Sequence, residues 1–218
     1  MQNFRAGGQI MEITYLGHAC FKFVKEGFAL IMDPYDAGSV PGLEPLKESA
    51  NMVICSHKHA DHYGLKSVKL ASVRADTPFL VDFIETWHDD KEGELRGKNN
   101  ITVINIGDHK VVHMGDIGCM ITSEDLEKLK GCDILLIPVG GFYTIDAKQA
   151  KKYVDKIKPK VTIPMHYSGD SFGYDEIGRV DEFVKLFPQK DVEFTGSDIT
   201  VDDSSKMKKI IVMKPSKA

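Results

Sequence analysis

Met52-Val-Ile-Cys55 runs directly into Ser56-His57-Lys58-His59-Ala60-Asp61-His62, and this junction decides how the chain is read. A short apolar run is followed by three imidazoles and a carboxylate within six positions. Both groups are ligands for zinc and other divalent first-row ions. In an extended or turning loop, His57 and His59 at i and i+2 can point the same way and grip one ion, while Asp61 and His62 face a second. Histidine-rich tracts also arise as tags or solvated loops. This one is internal, follows an apolar strand and leads into Tyr63-Gly64-Leu65.

Outward from that loop, short apolar and β-branched runs punctuated by Gly, Pro or Asp read as strands: Ile13 to Leu16, Ala19 to Val24, Phe28 to Met32, Phe79 to Ile84, Asn100 to Asn105 and Lys110 to Met114. Gly107-Asp108 is a turn signal between the last two. His62 to Ala71 carries a short helical pattern. Helical patterns also span Ser123 to Lys130, with Ser123 as N-cap, and Asp146 to Ile157, with Asp146 as N-cap. Asp133 to Val139 and Lys160 to Ile163 are apolar enough for strands buried on both faces. A helix at Arg179 to Leu186 and a strand at Lys209 to Met213 finish the pattern. Strands in both halves with helices between them predict an α/β protein with two packed sheets and outer helices, a four-layer αββα sandwich. Residues 1–10 read as an N-terminal extension and 11–218 as one domain.

The chain has 218 residues, a formal net charge of -4 and 42% hydrophobic residues. That balance excludes disordered and collagen-like classes and leaves enough material for a large core with a pocket. Mild acidity gives no electrostatic footprint for nucleic acid or anionic membrane. No apolar run reaches the roughly 18 residues of a membrane span. Without a signal-peptide pattern at Met1 to Ile10, the expected address is cytoplasmic. Cys20, Cys55, Cys119 and Cys132 form no CxxC pair and read as reduced thiols within apolar runs. A small-molecule substrate is the expected partner, with homo-oligomerisation left open.

The His57-x-His59-x-Asp61-His62 loop resembles the hallmark of the metallo-β-lactamase superfamily, and the resemblance orders the chain from about Met11 to His166. It implies that Asp33, in Leu30-Ile-Met-Asp-Pro34, supports the metal-binding loop from behind, fixing the second nitrogen of a ligand imidazole. It places His88 as the third histidine of the first metal, with His113 as a competitor that more readily packs behind the site. Asp116, in a Gly-Asp step, matches the family's bridging aspartate, and His166 its last histidine. The implied ligand sets are His57, His59 and His88 for one metal and Asp61, His62 and His166 for the other, with Asp116 spanning both. Imidazole-rich, thiolate-free ligation favours two zinc ions and also admits manganese or iron. The family's flavodiiron branch typically has Glu at the position of His59, so a di-iron redox role is disfavoured.

Within the superfamily, Tyr15-Leu-Gly-His-Ala-Cys-Phe21, His113-Met-Gly-Asp116, Pro138-Val-Gly-Gly-Phe-Tyr-Thr144 and Pro164-Met-His-Tyr167 are similar to a small branch. It includes L-ascorbate-6-phosphate lactonase and N-acylphosphatidylethanolamine-hydrolysing phospholipase D. The resemblance implies a hydrolase with a hydroxide held between two divalent ions, Asp61 acting catalytically by orienting it and accepting its proton. His18 and Tyr143 would border the pocket. Asp90 to Asn99 and Ser168 to Asp175, polar and Gly-containing, have the composition of flexible pocket rims. His109 sits in a turn and reads as surface. The expected substrate is a phosphodiester or lactone-like ester of a small metabolite. The alternatives are a nuclease of the same superfamily and a metal-binding or sensing protein without turnover.

Overall fold

Phe28, Leu30 and Met32 point to one face of their strand and Ala29 and Ile31 to the other, and this period-two division explains the layering. The computed structural model describes residues 10–71 and 76–218. The expected N-terminal extension lies outside these residues apart from the exposed Ile10.

In chain order the strands are β1 (Met11–Gly17), β2 (Cys20–Lys25), β3 (Phe28–Met32), β4 (Glu48–Ala50), β5 (Met52–Ile54), β6 (Val68–Leu70), β7 (Phe79–Trp87), β8 (Lys98–Ile106), β9 (His109–His113), β10 (Ile134–Pro138), β11 (Val161–Met165), β12 (Val192–Thr195), β13 (Asp198–Val201) and β14 (Ile210–Met213). The helices are α1 (Ser123–Leu129), α2 (Ala147–Ile157) and α3 (Val180–Val184). A five-stranded sheet has the order β13-β1-β2-β3-β5, and a seven-stranded sheet has the order β12-β14-β11-β10-β9-β8-β7.

The main core lies between these sheets, where Phe21, Phe23 and Leu30 meet Ile104, Val111 and Leu136. Every residue of β10 and β11 is buried, so these parallel central strands carry no polar alternation. Ala150, Tyr153 and Ile157 of α2 and Phe183 of α3 complete that core. Asp146 caps α2 with a reciprocal capping box to Gln149. α1 takes Thr122 as its N-cap in place of the expected Ser123, because the Thr122 hydroxyl accepts from the Asp125 amide.

The other face of the five-stranded sheet has a different cover. Ile31, Leu16 and Cys20 pack there against Tyr35, Val40, Leu43 and Leu46, and against Ala50 and Val68 from the two-stranded sheet β4-β6. The helix expected over His62 to Ala71 is a single 3₁₀ turn at Leu65–Ser67 followed by β6. Parallel pairing of Val68 to Leu70 with Glu48 to Ala50 supplies backbone hydrogen bonds that a short isolated helix would lack. Cys20 and Cys132 are buried, Cys55 and Cys119 half-buried, and all four are free thiols. No helix among the described residues is long and apolar enough to cross a membrane.

Candidate metal centre

Seven strand ends feed one site. His18 follows β1, Asp33 follows β3, the histidine-rich loop follows β5, His88 follows β7, Asp116 lies beyond β9, Tyr143 beyond β10, and His166 follows β11. Three of these residues hold left-handed backbones, with φ of 58° at His18, 45° at Asp33 and 52° at His166. Such conformations cost energy for residues with a Cβ, and here they cluster where the strands turn their side chains inward.

Asp33 is fully buried and organises the loop. Its Oδ1 accepts the Ser56 amide at 2.6 Å, and its Oδ2 accepts the Ser56 hydroxyl at 2.6 Å and His62 Nδ1 at 2.8 Å. Burial would raise its pKa, but these contacts hold the carboxylate below its ordinary value. The tautomers follow. His62 donates Nδ1–H to Asp33, which leaves Nε2 aimed at Asp116 Oδ2, 3.1 Å away. The Ser56 hydroxyl spends its single proton on Asp33, so it accepts from His57 Nδ1 at 2.9 Å. His57 Nε2 therefore carries a lone pair and is buried without a hydrogen-bond partner.

Asp116 Oδ2 also faces His88 Nε2 at 3.1 Å, His166 Nε2 at 3.2 Å and His57 Nε2 at 3.9 Å. Its other oxygen has no hydrogen-bond partner. Four imidazole nitrogens thus converge on one buried carboxylate, and the unpartnered His57 Nε2 lone pair and Asp116 Oδ1 are the buried acceptors that a cation would satisfy. The donors form three overlapping groups, His57 with His59 and His88, His57 with His62 and Asp116, and Asp61 with His62, His166 and His18. Within each group the ligand atoms lie within 4.8 Å of one another. This nitrogen- and oxygen-rich set fits divalent ions.

The electrostatics agree. Burial and His62 lower the pKa of His57 to about 3, leaving a neutral imidazole at neutral pH. Burial also opposes a charged His62, yet the Asp116 and Asp61 carboxylates outweigh it and raise the pKa well above 6.5. A proton on Nε2 thus occupies the metal-free cluster. Burial would raise Asp116 and Asp61, but the neighbouring histidines hold both carboxylates below the ordinary range.

His113 lies outside these donor groups. Its Nδ1 accepts the Gly115 amide at 3.1 Å, and its Nε2 donates to the Ala19 carbonyl at 2.9 Å. With both nitrogens used, His113 ties the two sheets together behind the site. His18 is fully buried and donates Nε2–H to Asp61 Oδ2 at 3.1 Å, its ring 4.0 Å from that of His166. It stands beneath Asp61 and away from the pocket wall. Tyr143 does line the cleft, which has a volume of about 310 Å³. His59, Asp61, His88 and Asp116 form its floor, and Arg96 and Tyr174 join Tyr143 at the rim. His109 opens β9 and is buried, contrary to the surface position expected, because the Ile106–His109 pair closes the β8–β9 hairpin over the core.

Sequence reasoning missed four residues that shape the centre. Ser56 relays Asp33 to His57, as above. Asn99 is fully buried, donates to Met114 O at 2.9 Å and Thr86 Oγ1 at 3.0 Å, and accepts the Asp116 amide at 2.9 Å. A Cβ at Gly115 would fall 2.2 Å from Asn99 Oδ1, at a φ of 56° that already favours glycine. Asp89 accepts the amides of Lys91, Gly93, Leu95 and Arg96 at 2.7–3.0 Å, so the rim loop is wound around one carboxylate. Arg96 ends that winding. The available signal was the polar pair Asn99-Asn100 at the start of a strand, where asparagine is a poor strand former.

Residues 12–166 match the family described as the β-lactamase superfamily domain. A metal-dependent hydrolase of Carboxydothermus hydrogenoformans is 30% identical over 193 residues, covering 72% of this chain and 85% of its own. A crystal structure from Thermotoga maritima, assigned as a candidate Zn-dependent hydrolase of the metallo-β-lactamase superfamily, is 33% identical. It superposes with a TM-score of 0.72 over 93% of this chain and 98% of that one. A metallo hydrolase of Ignicoccus hospitalis, 19% identical, shares the fold with a TM-score of 0.65 over 89% of this chain and 99% of its own.

Proposed function

The chain belongs to the β-lactamase superfamily, and from that premise we propose that it is a cytoplasmic metal-dependent hydrolase cleaving an ester-type bond, phosphodiester or lactone, of a small metabolite. The metal-dependent hydrolases similar to it support the reaction class. The observation that carries the reading is the ring of imidazole nitrogens around Asp116 Oδ2, with the His62 tautomer fixed by Asp33. In this reading His57, His59 and His88 would hold one ion and Asp61, His62 and His166 a second, with Asp116 shared between the two sets. Zinc suits the donor set best, with manganese or iron as alternatives.

Ions held there supply an activated water and a Lewis acid for the scissile group. The chain's own residues do the rest. Asp61 faces the cleft with one oxygen held by the His18 N–H, and from that position its carboxylate would orient a nucleophilic water and accept its proton. Its depressed pKa keeps it ionised for that task. Asp33 and Ser56 prevent His57 and His62 from rotating away. No serine or cysteine nucleophile is needed.

The test is initial-rate measurement on metal-reconstituted protein with a phosphodiester and a sugar lactone side by side, with His59→Ala and Asp116→Ala as controls. Turnover of either substrate, lost in both variants together with bound metal, is the expected result. Full activity in either variant overturns the site, and metal binding without turnover on any ester overturns the enzyme in favour of a metal-binding protein.

A further inference from the structure

Arg96 stands at the mouth of the cleft with its guanidinium carbon 5.6 Å from the centre of the Tyr143 ring. Among the described residues no carboxylate pairs with it, whereas the other described arginine, Arg179, is bound to Asp170 at 2.6 Å. A guanidinium presents five N–H donors in a planar fork, and one that rests on an aromatic face keeps the fork available. The Tyr143 hydroxyl beside it also has no hydrogen-bond partner among the described residues, while Tyr174 OH is committed to the Ser39 carbonyl at 2.6 Å.

The position of Arg96 is built. Asp89 is 2% exposed, and its two oxygens each accept two amides, with the Arg96 amide the shortest at 2.7 Å. Gly97 closes the loop against His88, whose amide donates to the Gly97 carbonyl at 3.0 Å. The backbone that carries the cation is therefore tied to that of His88, and the guanidinium rests on the Tyr143 ring.

We propose that Arg96, set over Tyr143 by the Asp89-wound loop, binds a compact anionic group of the substrate remote from the scissile bond. This rests on the hydrolase reading of the same site and narrows its substrate to small esters bearing a phosphate or carboxylate. The cleft of about 310 Å³ suits such a metabolite. On the hydrolase reading, divalent ions held at the floor would outweigh Asp61 and Asp116, so both ends of the cleft would attract negative charge.

The test reads binding without turnover. Metal-reconstituted protein is titrated calorimetrically with propylphosphonate, phosphonopropionate and propane diphosphonate, in which one phosphonate serves the floor and the second anion addresses the rim. Either doubly anionic probe is expected to bind about tenfold to a hundredfold more tightly than propylphosphonate, the range of a charge-assisted contact. The better of the two identifies the remote anion as phosphate or carboxylate. Arg96→Gln is expected to collapse the ratio and Arg96→Lys to keep part of it. Equal affinities, or a preference that survives Arg96→Gln, overturns the proposal. A collapsed ratio in a protein that hydrolyses no ester sinks the hydrolase reading and leaves the anion site standing. Ester hydrolysis with no anion preference does the reverse.

Discussion

His62 Nδ1 lies 2.8 Å from Asp33 Oδ2, both side chains fully buried, and this contact orients the centre of the histidine-rich loop. It fixes which nitrogen faces Asp116, and through Ser56 the same carboxylate fixes His57. One residue thus sets two imidazoles.

Asp33→Asn is expected to keep the fold while weakening metal binding about tenfold to a hundredfold, the usual consequence of altering the group behind a ligand histidine. The amide cannot accept from the Ser56 amide, the Ser56 hydroxyl and His62 at once. Competition against a chromophoric zinc chelator measures the change, and an unaltered affinity would show that the Asp33 contact is only structural.

Metal uptake at neutral pH is expected to release roughly one proton from the cluster. The metal-free protein holds it on His62, whose pKa is raised well above 6.5, whereas His57 at about 3 has none to give. Apparent affinity should therefore rise with pH until the raised value is passed. The sign for stability is opposite: the protonated His62 stabilises the metal-free fold fully below 6.5, and that contribution fades as pH rises through the raised pKa. Calorimetry in buffers of differing ionisation enthalpy counts the protons, and a count of zero contradicts the assignment.

His88→Ala and His113→Ala are expected to separate binding from stability. The first removes a nitrogen 3.1 Å from Asp116 and should lower metal stoichiometry or affinity. The second leaves the Ala19 carbonyl without its buried donor and opens a gap between the sheets, for about 2–4 kcal/mol of destabilisation. Denaturation curves and metal analysis on both variants decide it, and the reverse pattern would exchange their roles.

Asn99→Ala is expected to cost about 2–4 kcal/mol and to impair metal binding, because two buried backbone groups lose their partners at once. Those groups are the Asp116 amide and the Met114 carbonyl, while the Thr86 hydroxyl keeps the Asn99 backbone carbonyl as its acceptor. A variant with wild-type stability and metal affinity would refute a positioning role for Asn99.

Much of this was legible along the chain because the signals are local. The strand Met52–Ile54 and the seven residues after Cys55 carry their chemistry in consecutive positions, and apolar, β-branched and aromatic runs between Gly, Pro or Asp mark β1 to β3 without reference to any partner. The Asp146 cap and the buried apolar runs of β10 and β11 are equally self-contained. β6 defied local reading, since Val68 to Leu70 becomes a strand only by pairing with Glu48 to Ala50 some twenty residues away. His109 likewise looks exposed in its turn and is covered only by the folded hairpin.

By itself the sequence determined the two-sheet α/β architecture and the residue types of the centre, since ligand chemistry and short apolar runs bounded by turn residues are written in neighbouring positions. Only the tertiary structure decided which imidazole nitrogen faces inward, that His113 serves the sheet interface, and that Asn99, Ser56 and Arg96 belong to the site. These depend on hydrogen bonds and approaches between residues distant in the chain, which arise when separate strand ends converge.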